Sequence, residues 1–375
     1  MKENFFTFIL TIFILVILGG IGYIAYYYFY VGDENLVSEI VPVNEILNEP
    51  IKPIEPIEQN QQSSESTELL PIDSGDGNTQ ITQVTSGKYK YYYNQLDSNA
   101  KKIYDKLESN IENIKTGNAV LDFDDEFNDL LNQEQGQAKL NEAYQSALDA
   151  FSLDNPEVYY IDVTNMVLMI YSRTNLFGTT YTTAIEPISG GDYLIDSIAN
   201  KDDLNSKLAE IEYVKNSVVE QTSADDDYTK IKKIHDFLIS HMEYDQTLER
   251  TNTRNIYGAL VEKSVVCEGY ADALKYLLDA VGIPCVEVVG TGTNSAGETE
   301  AHAWNYVQLN GAWYAIDVTW DDPTIIGNGK VPKSTYTKYF LRGSKRFNDT
   351  HFANGQVSEG GRIFTYPALN EKDYN

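Results

Sequence analysis

The sequence predicts an α+β fold, in which a helix-rich α+β segment precedes a core built from one helix packed on an antiparallel sheet. Three observations carry this. Behind Cys267, the apolar residues Ala271, Leu274, Leu278 and Val281 recur at helical spacing, and Gly282 and Pro284 stop the run. Residues 304–309 and 312–318 are rich in aromatic and β-branched types and flank Asn310-Gly311, a strong two-residue hairpin signal. Between residues 89 and 199, helical and strand-like patterns alternate with no His, no Cys and no Gly-rich phosphate loop, as expected of a substrate-shaping or packing subdomain.

The chain has 375 residues and a formal net charge of −28, enough length for one or two domains. That charge excludes nucleic acid as an expected partner, because phosphate binding needs basic patches. It also opposes electrostatic docking on anionic lipid. Cys267 and Cys285 are too few for a disulfide framework. A helix of about four turns between them separates their ends by roughly 20 Å, so they are expected to remain unbonded.

In chain order, residues 5–31 form an almost unbroken apolar run of 27 residues, long enough to span a bilayer. Lys2 precedes it, Asp33 and Glu34 follow, and Tyr26, Tyr27, Tyr28 and Tyr30 fit an interfacial aromatic belt. The expectation is a four-residue cytoplasmic tail, a single-pass anchor in the cell membrane and an extracellular C-terminal bulk. A cleaved signal peptide is the alternative, although its apolar core would be shorter. Residues 32–88 carry Pro42, Pro50, Pro53, Pro56 and Pro71 among Glu, Gln and Ser, and read as a disordered tether.

From residue 89 the pattern is globular. Helices are expected over 93–114, 138–151, 204–219 and 228–242, and strands over 158–161, 166–171, 285–289 and 336–341. Asp225-Asp226-Asp227 opens the fourth helix and reads as capping, since three consecutive Asp lack the spacing of a calcium loop. His235 and His241 read as structural or exposed, and Cys285 as a buried free thiol. Residues 290–300 read as a flexible loop beside the site, and His351 as a turn residue without a role. Tyr257 is a candidate oxyanion donor, with core packing as the competing role. No metal or cofactor is expected.

The chemistry lies in Cys267, His302 and Asp317. A thiol at a helix N-terminus meets unpaired N–H groups that favour its anion. If the hairpin pairs residue 309 with 312, His302 faces Thr319 and Asp317 lies diagonally two residues away. All three would then project from one face. A carboxylate there orients the imidazole and leaves its other nitrogen for the thiol.

The segments Val266-Cys267-Glu268-Gly269-Tyr270-Ala271, Gly282-Ile283-Pro284, Ala301-His302-Ala303-Trp304-Asn305 and Ile316-Asp317-Val318-Thr319-Trp320 together resemble the transglutaminase-like superfamily, a papain-related group with catalytic order Cys, His, Asp. The resemblance covers about residues 200–366, with 89–199 as an accessory region and 367–375 as a tail. It implies a membrane-anchored cysteine acyltransferase or hydrolase, acting on amide or carboxamide groups of a protein or peptide at the cell surface or wall. The thioester at Cys267 would pass to an amine or to water; the sequence leaves both open. A surface-binding or scaffolding module with an idle triad is the other reading.

Overall fold

The computed structural model describes residues 25–31, 34–41, 88–188, 191–322 and 332–375. The first two stretches are strands β1 (Ala25–Val31) and β2 (Glu34–Val41), paired antiparallel. The apolar run expected to cross a membrane as a helix is therefore extended over its last seven residues. Its consecutive Tyr and Phe residues favour the pleated backbone there. Residues 5–24 of that run, and 42–87 of the expected tether, lie outside the described residues. Among the described residues no helix is long and apolar enough to cross a membrane.

The accessory region holds α1 (Ser98–Ser109), β3 (Leu121–Asp124), α2 (Gly136–Asp154), β4 (Met166–Asn175) and β5 (Gly178–Pro187). Its sheet runs β1-β2-β4-β5-β3. Asp97 caps α1 by accepting from the N–H groups of Asn99 and Ala100. The strand expected over 158–161 is instead a 3-10 turn at Pro156–Val158 followed by an isolated bridge from Ile161 to Leu194. Pro156 pre-sets that helical turn and removes a ladder donor.

Helices α3 (Lys201–Thr222) and α4 (Asp227–His241) follow. Asp226, within the expected acidic opening, accepts the Thr229 N–H as the cap of α4. A two-residue parallel pair, β6 (Glu243–Tyr244) with β7 (Ser264–Val265), leads into α5 (Cys267–Ala280). The second sheet comprises β8 (Cys285–Thr293), β9 (Thr299–Leu309), β10 (Ala312–Ile316) and β11 (His351–Ala353), ordered β10-β9-β8-β11 and antiparallel throughout. Leu309 pairs with Ala312 across Asn310 and Gly311, whose φ angles of 51° and 77° are those of a primed hairpin turn.

This sheet divides the hydrophobic core. Val286, Val288, Trp304, Tyr306 and Ala315 face one cluster with Tyr92, Tyr104, Tyr144 and Phe151 of the accessory region. The alternate residues Cys285, Val307, Leu309, Tyr314 and Ile316 face a second cluster with Leu274, Leu277 and Leu278 of α5 and Ile231, Ile234 and Leu238 of α4. The period-two alternation puts α5 on one side of the sheet and the accessory region on the other. The first cluster holds residues from both sides of position 200.

Two further expectations fail in this half. Residues 290–293 and 299–300 belong to β8 and β9, so the expected flexible loop shrinks to residues 294–298. Gly, Thr and Ser in that stretch imitate a loop in sequence, but the cross-strand ladder overrides them. Residues 333–337 form a 3-10 turn rather than part of a final strand, and the last strand is β11.

Candidate active site

Cys267 is the first residue of α5 and is partly exposed. Val266 caps the helix without a side-chain hydrogen bond, so the first-turn N–H groups are left without a side-chain cap. Both cysteines are free thiols; Cys285 is fully buried, and burial pushes its thiol well up. An electrophile therefore meets Cys267 and not Cys285.

His302 lies on β9, opposite Gly290 of β8. Its Nε2 is 2.8 Å from Asp317 Oδ2. Asp317 is not a strand residue: β10 ends at Ile316, and Asp317 Oδ1 accepts the Trp320 N–H at 3.0 Å to start the helical turn Val318–Asp321. The expected pairing of His302 with Thr319 is therefore absent, because an Asp that caps a helix competes with the ladder. The contact that the pairing was meant to produce, imidazole to carboxylate, is present nonetheless.

Burial works against charge on His302, but the Asp317 carboxylate and then the Cys267 thiol outweigh it and push the imidazole up to about 10. Burial alone would raise Asp317; His302 first and His351 second overcome that and hold its carboxyl well below the usual range. With Asp317 ionised, His302 Nε2 must be a donor, and Nδ1 is the nitrogen left for the thiol. The Trp320 indole stacks on the imidazole with centroids 4.8 Å apart and planes at 24°. That stacking depends on Gly292, where an added Cβ would lie 2.8 Å from Trp320 and 3.2 Å from His302 Cδ2.

Tyr257 and His351 differ from the sequence reading, and Tyr244 and Arg254 join the neighbourhood of Cys267. Tyr257 points its hydroxyl at Glu210 Oε2, 3.2 Å away, and stacks on Tyr159. Tyr244 of β6, in register with Val265 just ahead of Cys267, is the tyrosine that senses the thiol. Burial and then Cys267 push it up to about 12. Arg254, ion-paired with Glu268, lies within the same electrostatic neighbourhood as Cys267 and Tyr244. His351 is no turn residue: it sits on β11, fully buried, with Nε2 3.0 Å from Asp317 Oδ2. Nothing local in the sequence points to it, since its partner lies 34 residues away.

His302, Asp317 and His351 are residue types that hold divalent ions, and their ligand-type atoms lie within 4.8 Å of one another. Here, though, one Asp317 oxygen accepts from both imidazoles and the other from a backbone N–H. A metal would need lone pairs where both rings present protons. Two cavities of about 440 Å³ and 320 Å³ lie elsewhere, lined by residues such as Asp97 and Arg362, and Lys88 and Tyr160.

Residues 216–318, which include all three predicted site residues, match the model of the transglutaminase-like superfamily. The kyphoscoliosis peptidases of Mus musculus and Homo sapiens are 29% identical over 151 residues and 28% over 148 residues. Those stretches cover 36% and 35% of this chain but 22% and 21% of the relatives, so the match spans under a quarter of their length. A crystal structure of a TGase is 17% identical, with a TM-score of 0.29 over 46% of this chain and 48% of that one, a score too low to carry an argument.

Proposed function

Starting from a transglutaminase-like domain of cysteine-enzyme type, we propose that this chain is a cysteine acyl-transfer enzyme acting on amide or carboxamide groups of proteins or peptides. The observation that carries the reading is one connected chain: a partly exposed Cys267 at a helix start, His302 beside it, and Asp317 fixing His302.

His302 holds its proton at neutral pH, and an imidazolium beside a thiol favours the thiolate. The sulfur attacks the carbonyl carbon, and the oxyanion that forms lies near the Cys267 N–H. As the C–N bond breaks, His302 gives its proton to the departing amine or ammonia and a thioester remains. Water or an amine then attacks the thioester, His302 takes the incoming proton, and the thiolate leaves. Asp317 keeps the imidazole oriented and stabilises its charge.

Hydrolysis is the first acceptor reading, since the curated relatives that match are named peptidases; amine transfer is the second outcome of the test. The proposed location is the outer face of a cell membrane, reached through the N-terminal apolar run of residues 5–31. A protein or peptide at the cell surface or wall is the proposed partner.

The test is labelling by a thiol-directed amide probe, followed by incubation with a glutamine peptide in the presence and absence of a primary amine. Chain cleavage identifies a peptidase, amine incorporation a transferase, and ammonia release alone a deamidase. A wild-type protein that neither labels at Cys267 nor turns over any donor, yet binds a surface polymer as well as Cys267→Ala does, would leave only the binding module.

A further inference from the structure

Strands β9 and β11 flank β8 on either side, so His302 and His351 stand two strands apart. Backbones at that remove are about 9.5 Å apart. The two ring centroids nevertheless approach to 5.6 Å. The β8 residues between them are Gly290, paired with His302, and Gly292, paired with His351. With no side chains rising from the middle strand, the two rings lean together and meet over one carboxylate oxygen. Trp320 closes the space over Gly292 and contacts both rings, at 4.8 Å and 4.6 Å.

We infer that His351 is a positioning residue for the proposed catalytic pair: as a neutral imidazole protonated on Nε2, it pins Asp317 Oδ2 and so fixes where that carboxylate meets His302. The inference rests on the acyl-transfer reading only for its consequence, not for its geometry. Asp317 is ionised and accepts only, so His351 Nε2 must donate. Nδ1 lies 2.9 Å from Thr350 Oγ1, whose hydroxyl has the Phe347 carbonyl at 3.4 Å as its other acceptor; turned to the nearer group, it donates to Nδ1. Burial opposes a second proton on this ring; Asp317 favours one, and the charge on His302 opposes it, with a net shift downward. The titratable groups around it are His302 on β9 and Asp317; beyond Asp317, in the same helical turn, lies Asp321 with its α4 partner His235. Phe347, stacked at 3.9 Å, with Trp304, Trp320 and Tyr339, completes the enclosure.

Without His351, Oδ2 keeps a single donor, and the carboxylate is free to turn about its Trp320 contact. Losing a donor also raises the carboxyl pKa, so Asp317 protonates at a higher pH and releases His302 sooner.

Two measurements test this on the full chain. In ¹⁵N spectra of histidine-labelled protein, which has four histidines, His351 is expected neutral and protonated on Nε2 at pH 7. A charged ring, or the Nδ1–H tautomer, overturns the inference without reference to activity. The second is the rate of Cys267 alkylation by iodoacetamide against pH. His351→Leu should slow it about ten- to a hundredfold and move its acid limb upward, while His351→Gln, which retains a donor, restores most of the rate and the limb. A folded His351→Leu protein with the wild-type rate and profile also overturns it. Failure of Cys267→Ala to abolish turnover would instead sink the acyl-transfer reading, and the histidine spectra would still decide this one.

Discussion

Cys267→Ala should remove all turnover, because Cys285, the other thiol, is buried with its ionisation suppressed. His302→Ala should be nearly as severe, since the pair acts as a unit. Asp317→Asn should cost on the order of a thousandfold in kcat, as the ring loses its anionic partner and its fixed tautomer. Tyr257→Phe should change little, because that hydroxyl is engaged with Glu210. His302 is raised to about 10 in the folded state, so its contribution to stability is full below the ordinary His value near 6.5 and is lost as pH rises through about 10. Activity should fall along the same alkaline limb, and a pH series of kcat and of thermal melting would show both. Gly292→Ala should impair catalysis more than folding: its Cβ displaces Trp320 and His302, at an overpacking cost of about 1–3 kcal/mol. A variant with wild-type kcat would show that the stack over His302 is dispensable.

At the scale of elements, the helical turn that carries Asp317 is held from two sides. Asp321 at its end accepts from the Tyr339 N–H at 2.8 Å through Oδ1, and its Oδ2 lies 3.1 Å from His235 Nε2 on α4. Both side chains of that pair are fully buried. His235→Ala would leave Asp321 buried without its partner, at about 3–5 kcal/mol. Because Asp317 and Asp321 share the turn, the loss should also reach kcat; denaturant melts and kinetics on one sample would separate the two. Burial opposes charge on His235, but Asp236 and Asp321 raise it. Its contribution is therefore present below the ordinary His value and fades as pH rises through the raised one. Helix α5 is tied to the sheet in the same manner. Lys275 Nζ is 2.8 Å from Asp279 and 3.3 Å from the Cys285 carbonyl, and Asn305 Nδ2 donates to the Ala271 carbonyl at 3.0 Å.

For the whole molecule, the accessory region packs against the sheet that carries His302. Tyr92 donates its hydroxyl to the Glu287 carbonyl of β8, Ser358 donates its hydroxyl to Asp149 Oδ2 at 2.6 Å, and Trp304 shares a cluster with Tyr104 and Phe151. A fragment of residues 88–375 should therefore melt cooperatively and label at Cys267. A fragment of residues 200–375 should be insoluble or unfolded, because it exposes one face of the sheet. Cooperative melting of the shorter fragment would show that the two halves are independent.

The sequence by itself determined the local features: the helix that starts at Cys267, the Asn310-Gly311 turn, and three side chains of the right chemistry in order. Each rests on periodicity or turn geometry within about fifteen residues, where backbone preference and side-chain pattern agree. The tertiary structure alone decided the rest. It ended β10 one residue before Asp317, because a capping carboxylate outcompeted the ladder, and it extended β8 and β9 through a stretch whose composition reads as loop. It sent Tyr257 to Glu210 and set Tyr244 near the thiol. Above all, it brought His351 to Asp317 across a strand whose two glycines leave the space open, a meeting of residues 34 apart. Contacts of that kind depend on strand order and close packing, and neither is written in the pattern of any one segment.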